Sequence, residues 1–148
     1  MKTTLNKILE HDPCSQNNVK GGWGLLLKNL GKTEADDEPL DLMAILESNG
    51  IKDAVWALRC FDYLDYCLFL ADLAESVLHI YEKCNSSKAP REVIQAIRDY
   101  KAGVITEDEL AAYASSAASS AAYAASQIEI KWHEMEALFI KHFGGENK

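Results

Sequence analysis

AAYASSAASSAAYAAS, residues Ala111 to Ser126, contains nine alanines, five serines and two tyrosines, with no charge, glycine, proline or large aliphatic side chain. Alanine has the highest intrinsic helix propensity and adds no bulk, so this tract reads as a helix whose backbone other helices can approach closely. A flexible linker would use glycine where this tract uses alanine. Small residues along one face permit tight packing inside a bundle, and serine hydroxyls can bond back to the preceding turn. The same smooth face is suited to self-association, so a homodimer through the Ala/Ser-rich helix is the alternative use.

Working outward, Thr106-Glu107-Asp108-Glu109 has the form of a capping box that opens this helix. No helix breaker follows until Gly144-Gly145, so one element of about 38 residues, roughly 57 Å long, is expected, with a kink near Ser126. Before it, Pro90 opens a helix carrying Val93, Ile94, Ile97 and Tyr100, and Gly103 ends it. Asp62 caps a helix reaching Lys83 or Cys84, in which Leu64, Cys67, Leu68, Ala71, Ala74, Val77, Leu78 and Tyr81 recur at threes and fours.

Shorter helices are expected in the first part of the chain. Thr4 to Glu10 reads as one, closed by His11, Asp12 and Pro13. The next starts at Ser15 or just beyond Gly22, carries Trp23, Leu26, Leu27 and Leu30, and stops at Gly31. Pro39 sits where a first helical residue would sit, with Leu40, Met43, Ala44 and Leu46 following until Asn49-Gly50. Ile51 to Leu58 forms another short helix. No strand or hairpin pattern stands out. The expected fold is therefore all-α: a single-domain bundle of five to seven helices over residues 1–148, with short helices and an acidic loop in 1–60 and long helices in 62–143.

The 148 residues are enough to bury a core without disulfides or metal. A formal charge of −8 argues against direct binding to nucleic acid or an anionic membrane and makes a basic protein the natural partner. No apolar stretch is long enough to span a membrane, and the first residues lack a signal-peptide pattern, so a cytoplasmic location is expected. Cys14, Cys60, Cys67 and Cys84 form no CxxC and would stay thiols there, the last three in or near the core. Trp23 and Trp56 read as core side chains.

Two surface signals stand out. Glu34, Asp36, Asp37, Glu38 and Asp41 place five carboxylates within eight residues. They read either as a solvated loop favouring the N-terminus of the next helix or as a patch that engages Lys and Arg of a partner. Their spacing does not fit a calcium loop. Asp62, Tyr63, Asp65 and Tyr66 interleave aromatics with acids, a composition suited either to a protein interface or to covering the core at a helix start.

No catalytic, metal or cofactor constellation emerges. His133 and His142 are nine residues apart, not four. His11 near Cys14 sits on a constrained Asp12-Pro13 backbone that gives no reason for an activated thiol. Glu75 and His79 miss the Glu-x-x-His spacing of di-iron bundles by one residue. Gly21, Gly22 and Gly24 lack the Lys-Ser/Thr ending of a phosphate loop.

WGLLLKNLGK (23–32), ADDEPL (35–40), ILESNG (45–50), DAVWALR (53–59), AESVLHIY (74–81), PREVIQAIR (90–98) and the capped Ala-rich helix together resemble a family of phage and bacterial immunity proteins. The resemblance covers most of the chain, with Ser and Tyr in the Ala-rich tract where that family carries Trp, Arg and Asp. It implies an all-helical, non-enzymatic protein that binds and neutralises another protein. In a bacterium the target would be a toxin, such as a nuclease with a basic cleft. In a phage it would be a host defence complex, the protein acting as an anti-CRISPR inhibitor that competes for nucleic-acid-binding or subunit-contact surfaces. The other readings are a self-associating structural protein and a Cys- or carboxylate-dependent enzyme.

Overall fold

The computed structural model describes residues 1–13, 21–84, 86–113 and 132–145. The chain is all-α, with one two-residue strand pair among the described residues. It divides into two compact units, residues 1–64 with 132–148, and residues 65–131.

The first unit opens with β1 (Lys2–Thr3), which pairs antiparallel with β2 (Leu40–Asp41) in the register Lys2 to Asp41 and Thr3 to Leu40. Helix α1 (Leu5–Leu9) follows at once, because Thr4 is extended and its hydroxyl accepts from the Lys7 amide at 3.1 Å. It buries Leu5 and Ile8. Helix α2 (Gly22–Asn29) starts at the later of the two expected positions and ends at Gly31, whose φ of 69° lets the Lys32 amide return to the Leu27 carbonyl at 2.9 Å. Helices α3 (Leu42–Asn49) and α4 (Ile51–Trp56) are separated only by Gly50, and a 3₁₀ turn, Ala57–Cys60, closes the segment.

One helix start differs from expectation. Pro39 is not the first residue of a helix, since Leu40 and Asp41 are drawn into the strand pair and the Leu42 amide donates to the Met1 carbonyl at 3.1 Å. Helix α3 therefore begins at Leu42, three residues later, where the Asp41 carboxylate accepts from the Met43 amide at 2.9 Å. The backbone partners that decide this lie about forty residues away along the chain, so local capping signals do not reveal them.

Later in the chain, but within the same unit, Trp132–Phe143 is helical and buries Met135, Phe139 and Phe143. It packs on α3 and α4, and its last turn closes with the Gly144 amide on the Ile140 carbonyl at 2.8 Å. Leu42, Ile45, Ala54, Leu58 and Cys60 complete a core nearly free of solvent.

The second unit is built on helix α5 (Tyr63–Cys84), which starts in the last residues of the first, and on α6 (Ala89–Lys101). Asp62 accepts from the Leu64 amide at 2.9 Å, and Pro90 occupies the first turn of α6, both as expected. Two arginines of α6 tie it to α5. Arg98 reaches Asp72 at 3.0 Å and Glu75 at 2.6 Å, and Arg91 forks onto both oxygens of Glu82 at 2.8 and 2.9 Å. Cys67, Ala71, Leu78, Tyr81, Ile94 and Ile97 are buried, whereas Ala74, expected on the apolar face of α5, is exposed. Phe69 is fully buried although it falls outside the expected stripe.

Gly103, at φ 73°, ends α6 where the glycine signal put the stop. The capping box forms as expected: the Glu109 amide donates to the Thr106 hydroxyl at 3.3 Å, and the Glu109 carboxylate accepts from the Thr106 amide at 2.8 Å. The described residues 107–113 are helical and belong to α7, with Leu110 buried, and α8 is the Trp132–Phe143 helix. The rest of the Ala/Ser tract, with the expected kink near Ser126, lies outside the described residues.

Candidate partner-binding site

The acidic run is an anchored loop with two kinds of carboxylate. Asp36 faces inward along the loop: its carboxylate takes the Lys32 ammonium at 2.5 Å and the Glu38 amide at 3.1 Å, and its carbonyl accepts from the Asn6 amide at 3.0 Å. Lys32 also reaches Glu38 at 2.5 Å, so one cation bridges two acids. The Lys32 hydrogen bond holds the Asp36 carboxyl below its ordinary range, and the bonds to Asp36 and Glu38 raise the lysine. Asp41 is half-buried and used as the cap of α3. Glu34 and Asp37 project into solvent, and Glu38 does so while paired.

The two readings of the run thus divide by residue. Asp36 and Asp41 are structural, and Glu34, Asp37 and Glu38 form the exposed acidic edge. Because the loop is tied to α1 in its middle, at Asp36, and to β1 at its end, at Leu40 and Asp41, that edge is presented on a fixed backbone.

In the second candidate patch, Asp62 is spent on capping α5. Tyr63 is 45% exposed, Asp65 is exposed, and Tyr66 is half-buried. All lie in the first turns of α5 or at its cap.

A cleft that the sequence did not announce lies in the first unit. It encloses about 110 Å³ between α1, α2, α3 and α4 and is lined by Ile8, Trp23, Leu26, Ile45, Trp56 and Ala57, with Pro13 and Gly22 at its edge and the polar pair Asn49 and Asp53. Trp23 is buried, as expected of a core side chain. Trp56, expected beside it, is only half-buried and carries the Arg59 guanidinium 4.4 Å above its ring.

The polar wall is held by a chain of side-chain hydrogen bonds. Asn29 donates to the Ser48 hydroxyl at 3.0 Å, and Ser48 donates to the Asn49 carbonyl oxygen at 2.6 Å. The Asn49 amide nitrogen then donates to the Gly22 carbonyl at 2.6 Å and to Asp53 Oδ2 at 2.7 Å. A Cβ at Gly22 would come to 2.5 Å from Asp53 Oδ2, so a larger residue there would make that carboxylate shift from its place beside Asn49. In the sequence Asn49-Gly50 reads as a helix stop, which it is. Its second role as an anchor depends on Gly22 and Asp53, which only the tertiary fold brings to it.

Other chemistry is sparse. Burial pushes the Cys60 and Cys67 thiols up, away from the thiolate form that reacts. Cys14 and the Cys84 side chain lie outside the described residues. No three His, Cys, Asp or Glu side chains among the described residues converge as metal ligands. No helix of the described residues is long and apolar enough to cross a membrane. The chain matches no family model, and no curated protein or solved structure is significantly similar to it.

Proposed function

We propose that this protein is a non-enzymatic inhibitor of the immunity type, which binds a basic protein such as a toxin nuclease or a nucleic-acid-binding defence complex and occludes its working surface. The observation that carries this reading is the anchored loop 32–41. It presents Glu34, Asp37 and Glu38 to solvent while Asp36, Asp41 and Lys32 fix its backbone. A fixed acidic edge on a chain of net charge −8 attracts a basic surface from a distance and loses little conformational freedom on docking. Tyr63 and Asp65 add a second exposed aromatic and acidic element.

The test is capture of partners from host lysate at low and high salt with the tagged chain, identified by mass spectrometry. A basic protein captured at low salt and lost at high salt supports the reading. Capture of only further copies of the chain sinks it in favour of a self-associating protein, and capture of nothing sinks it in favour of the structural or enzymatic alternatives. With the partner in hand, Glu34→Gln with Asp37→Asn should slow association roughly tenfold or less and flatten its salt dependence, leaving dissociation nearly unchanged.

A further inference from the structure

The cleft between α1, α2, α3 and α4 has a lining chemistry that selects its occupant. Most of the wall is apolar, and two indoles contribute to it. Among the described residues of the lining, Asp53 is the one charged side chain, and no Lys, Arg, His, Ser or Thr occurs. Its Oδ2 receives the Asn49 amide, while Oδ1 accepts no hydrogen bond among the described residues.

Both protons of the Asn49 amide are already committed, one to Gly22 and one to Asp53, so among the described lining residues only the neutral indole N–H groups remain as side-chain donors, and an anion would meet them beside the Asp53 carboxylate, which repels it. A neutral apolar ligand would cover a carboxylate without satisfying it, which is unfavourable. A cation on an alkyl stem meets every surface at once: the stem lies on the aliphatic wall, the charged end faces the indoles, and a donor reaches Oδ1. A volume of about 110 Å³ suits the end of one side chain rather than a whole metabolite.

We propose that this cleft receives a single arginine or lysine side chain of the basic partner protein, with Asp53 as the counter-ion and Trp23 and Trp56 as the walls. Asn49 is a positioning residue, held by Ser48 and Gly22 so that the carboxylate is set before the cation arrives. The inference rests on the basic-partner reading for the identity of the occupant, and the site itself can be tested without the partner.

The experiment titrates the intact chain with Nα-acetyl-arginine amide and with its uncharged isostere, Nα-acetyl-citrulline amide, following the indole N–H resonances of the three tryptophans by NMR. Trp132 is not part of the cleft lining and serves as the internal control. The expected result is saturable shifts at Trp23 and Trp56 with the arginine compound only, and at least about tenfold weaker binding to Asp53→Asn. Should Asp53→Asn fail to fold, Trp56→Leu tests the same site through one of its indoles, with the Trp23 resonance as the readout.

Equal shifts with both compounds, no saturable shift at either cleft indole, or full binding by folded Asp53→Asn would overturn the proposal. Arginine binding combined with no basic protein captured from lysate would remove the inhibitor reading and leave the site standing. Salt-sensitive capture combined with no arginine binding would do the reverse.

Discussion

Asn49 donates to Asp53 Oδ2 at 2.7 Å across Gly50, the single residue at which α3 ends and α4 begins. The two are four apart in sequence, as in a helical pair, yet belong to different helices. Gly50 makes the change of direction with φ 84° and ψ 177°, a region that side-chain-bearing residues essentially do not enter. Gly50→Ala should therefore destabilise the first unit by roughly 1–3 kcal/mol. Urea unfolding followed by tryptophan fluorescence reads this directly, since all three tryptophans lie in that unit.

Removing the anchor separates its contribution from that of the turn. Asn49→Ala leaves the Gly22 carbonyl and the Asp53 carboxylate without their donor, a loss of about 1–3 kcal/mol for partly buried groups. Ser48→Ala, which only loosens the orientation of the amide, should cost less. If the two variants unfold at the same urea concentration, the chain of hydrogen bonds does not act in sequence.

Phe139 is wholly buried and meets Phe143 edge to face with ring centres 4.6 Å apart. Phe139→Ala should cost roughly 3–5 kcal/mol, enough to unfold a marginal unit, with Phe139→Leu much milder. Thermal unfolding of both variants checks the order.

Acid should weaken the protein through three carboxylates. Lys32 lowers Asp36, Arg98 lowers Glu75, and the Thr106 amide followed by its hydroxyl lowers Glu109. For each, the unfolded chain takes up the proton first as the pH falls. Their stabilisation is thus complete above the ordinary carboxylate range and is lost as the pH drops through the lowered folded values, below about pH 4. Glu75→Gln and Glu109→Gln should each flatten the fall in urea midpoint between about pH 5 and pH 3. Parallel curves for variant and wild type would remove that residue from the acid response.

These residues also mark where sequence reading succeeds. The Thr106 and Glu109 box, the Asp62 cap, Pro90 and the stops at Gly31 and Gly103 involve partners within a few residues, so local chemistry decides them. Pro39 does not open a helix, because the partners of Leu40 and Leu42 are Thr3 and Met1, far away along the chain. Helical periodicity correctly marked Cys67, Ala71 and Leu78 as buried but also included Ala74, because alanine is equally at home on an exposed helix face. The acidic run was visible as charge. Its division into structural Asp36 and Asp41 and exposed Glu34 and Asp37 depends on where Lys32 and the first turn of α3 lie. The cleft was invisible because each lining residue has an ordinary reason to be where it is, and only their convergence makes a site.

The first unit is assembled from two stretches of chain, residues 1–64 and 132–148, with the second unit inserted between them. On the ribosome, residues 65–131 must be made before Met135, Phe139 and Phe143 exist, a delay of several seconds at roughly 5–20 residues per second. During that interval the flanks of α3 and α4 that receive α8 stand uncovered on the nascent polypeptide. The acidic loop and the cleft both belong to the stretch that waits, so the half of the molecule proposed to meet a partner is synthesised first and completed last.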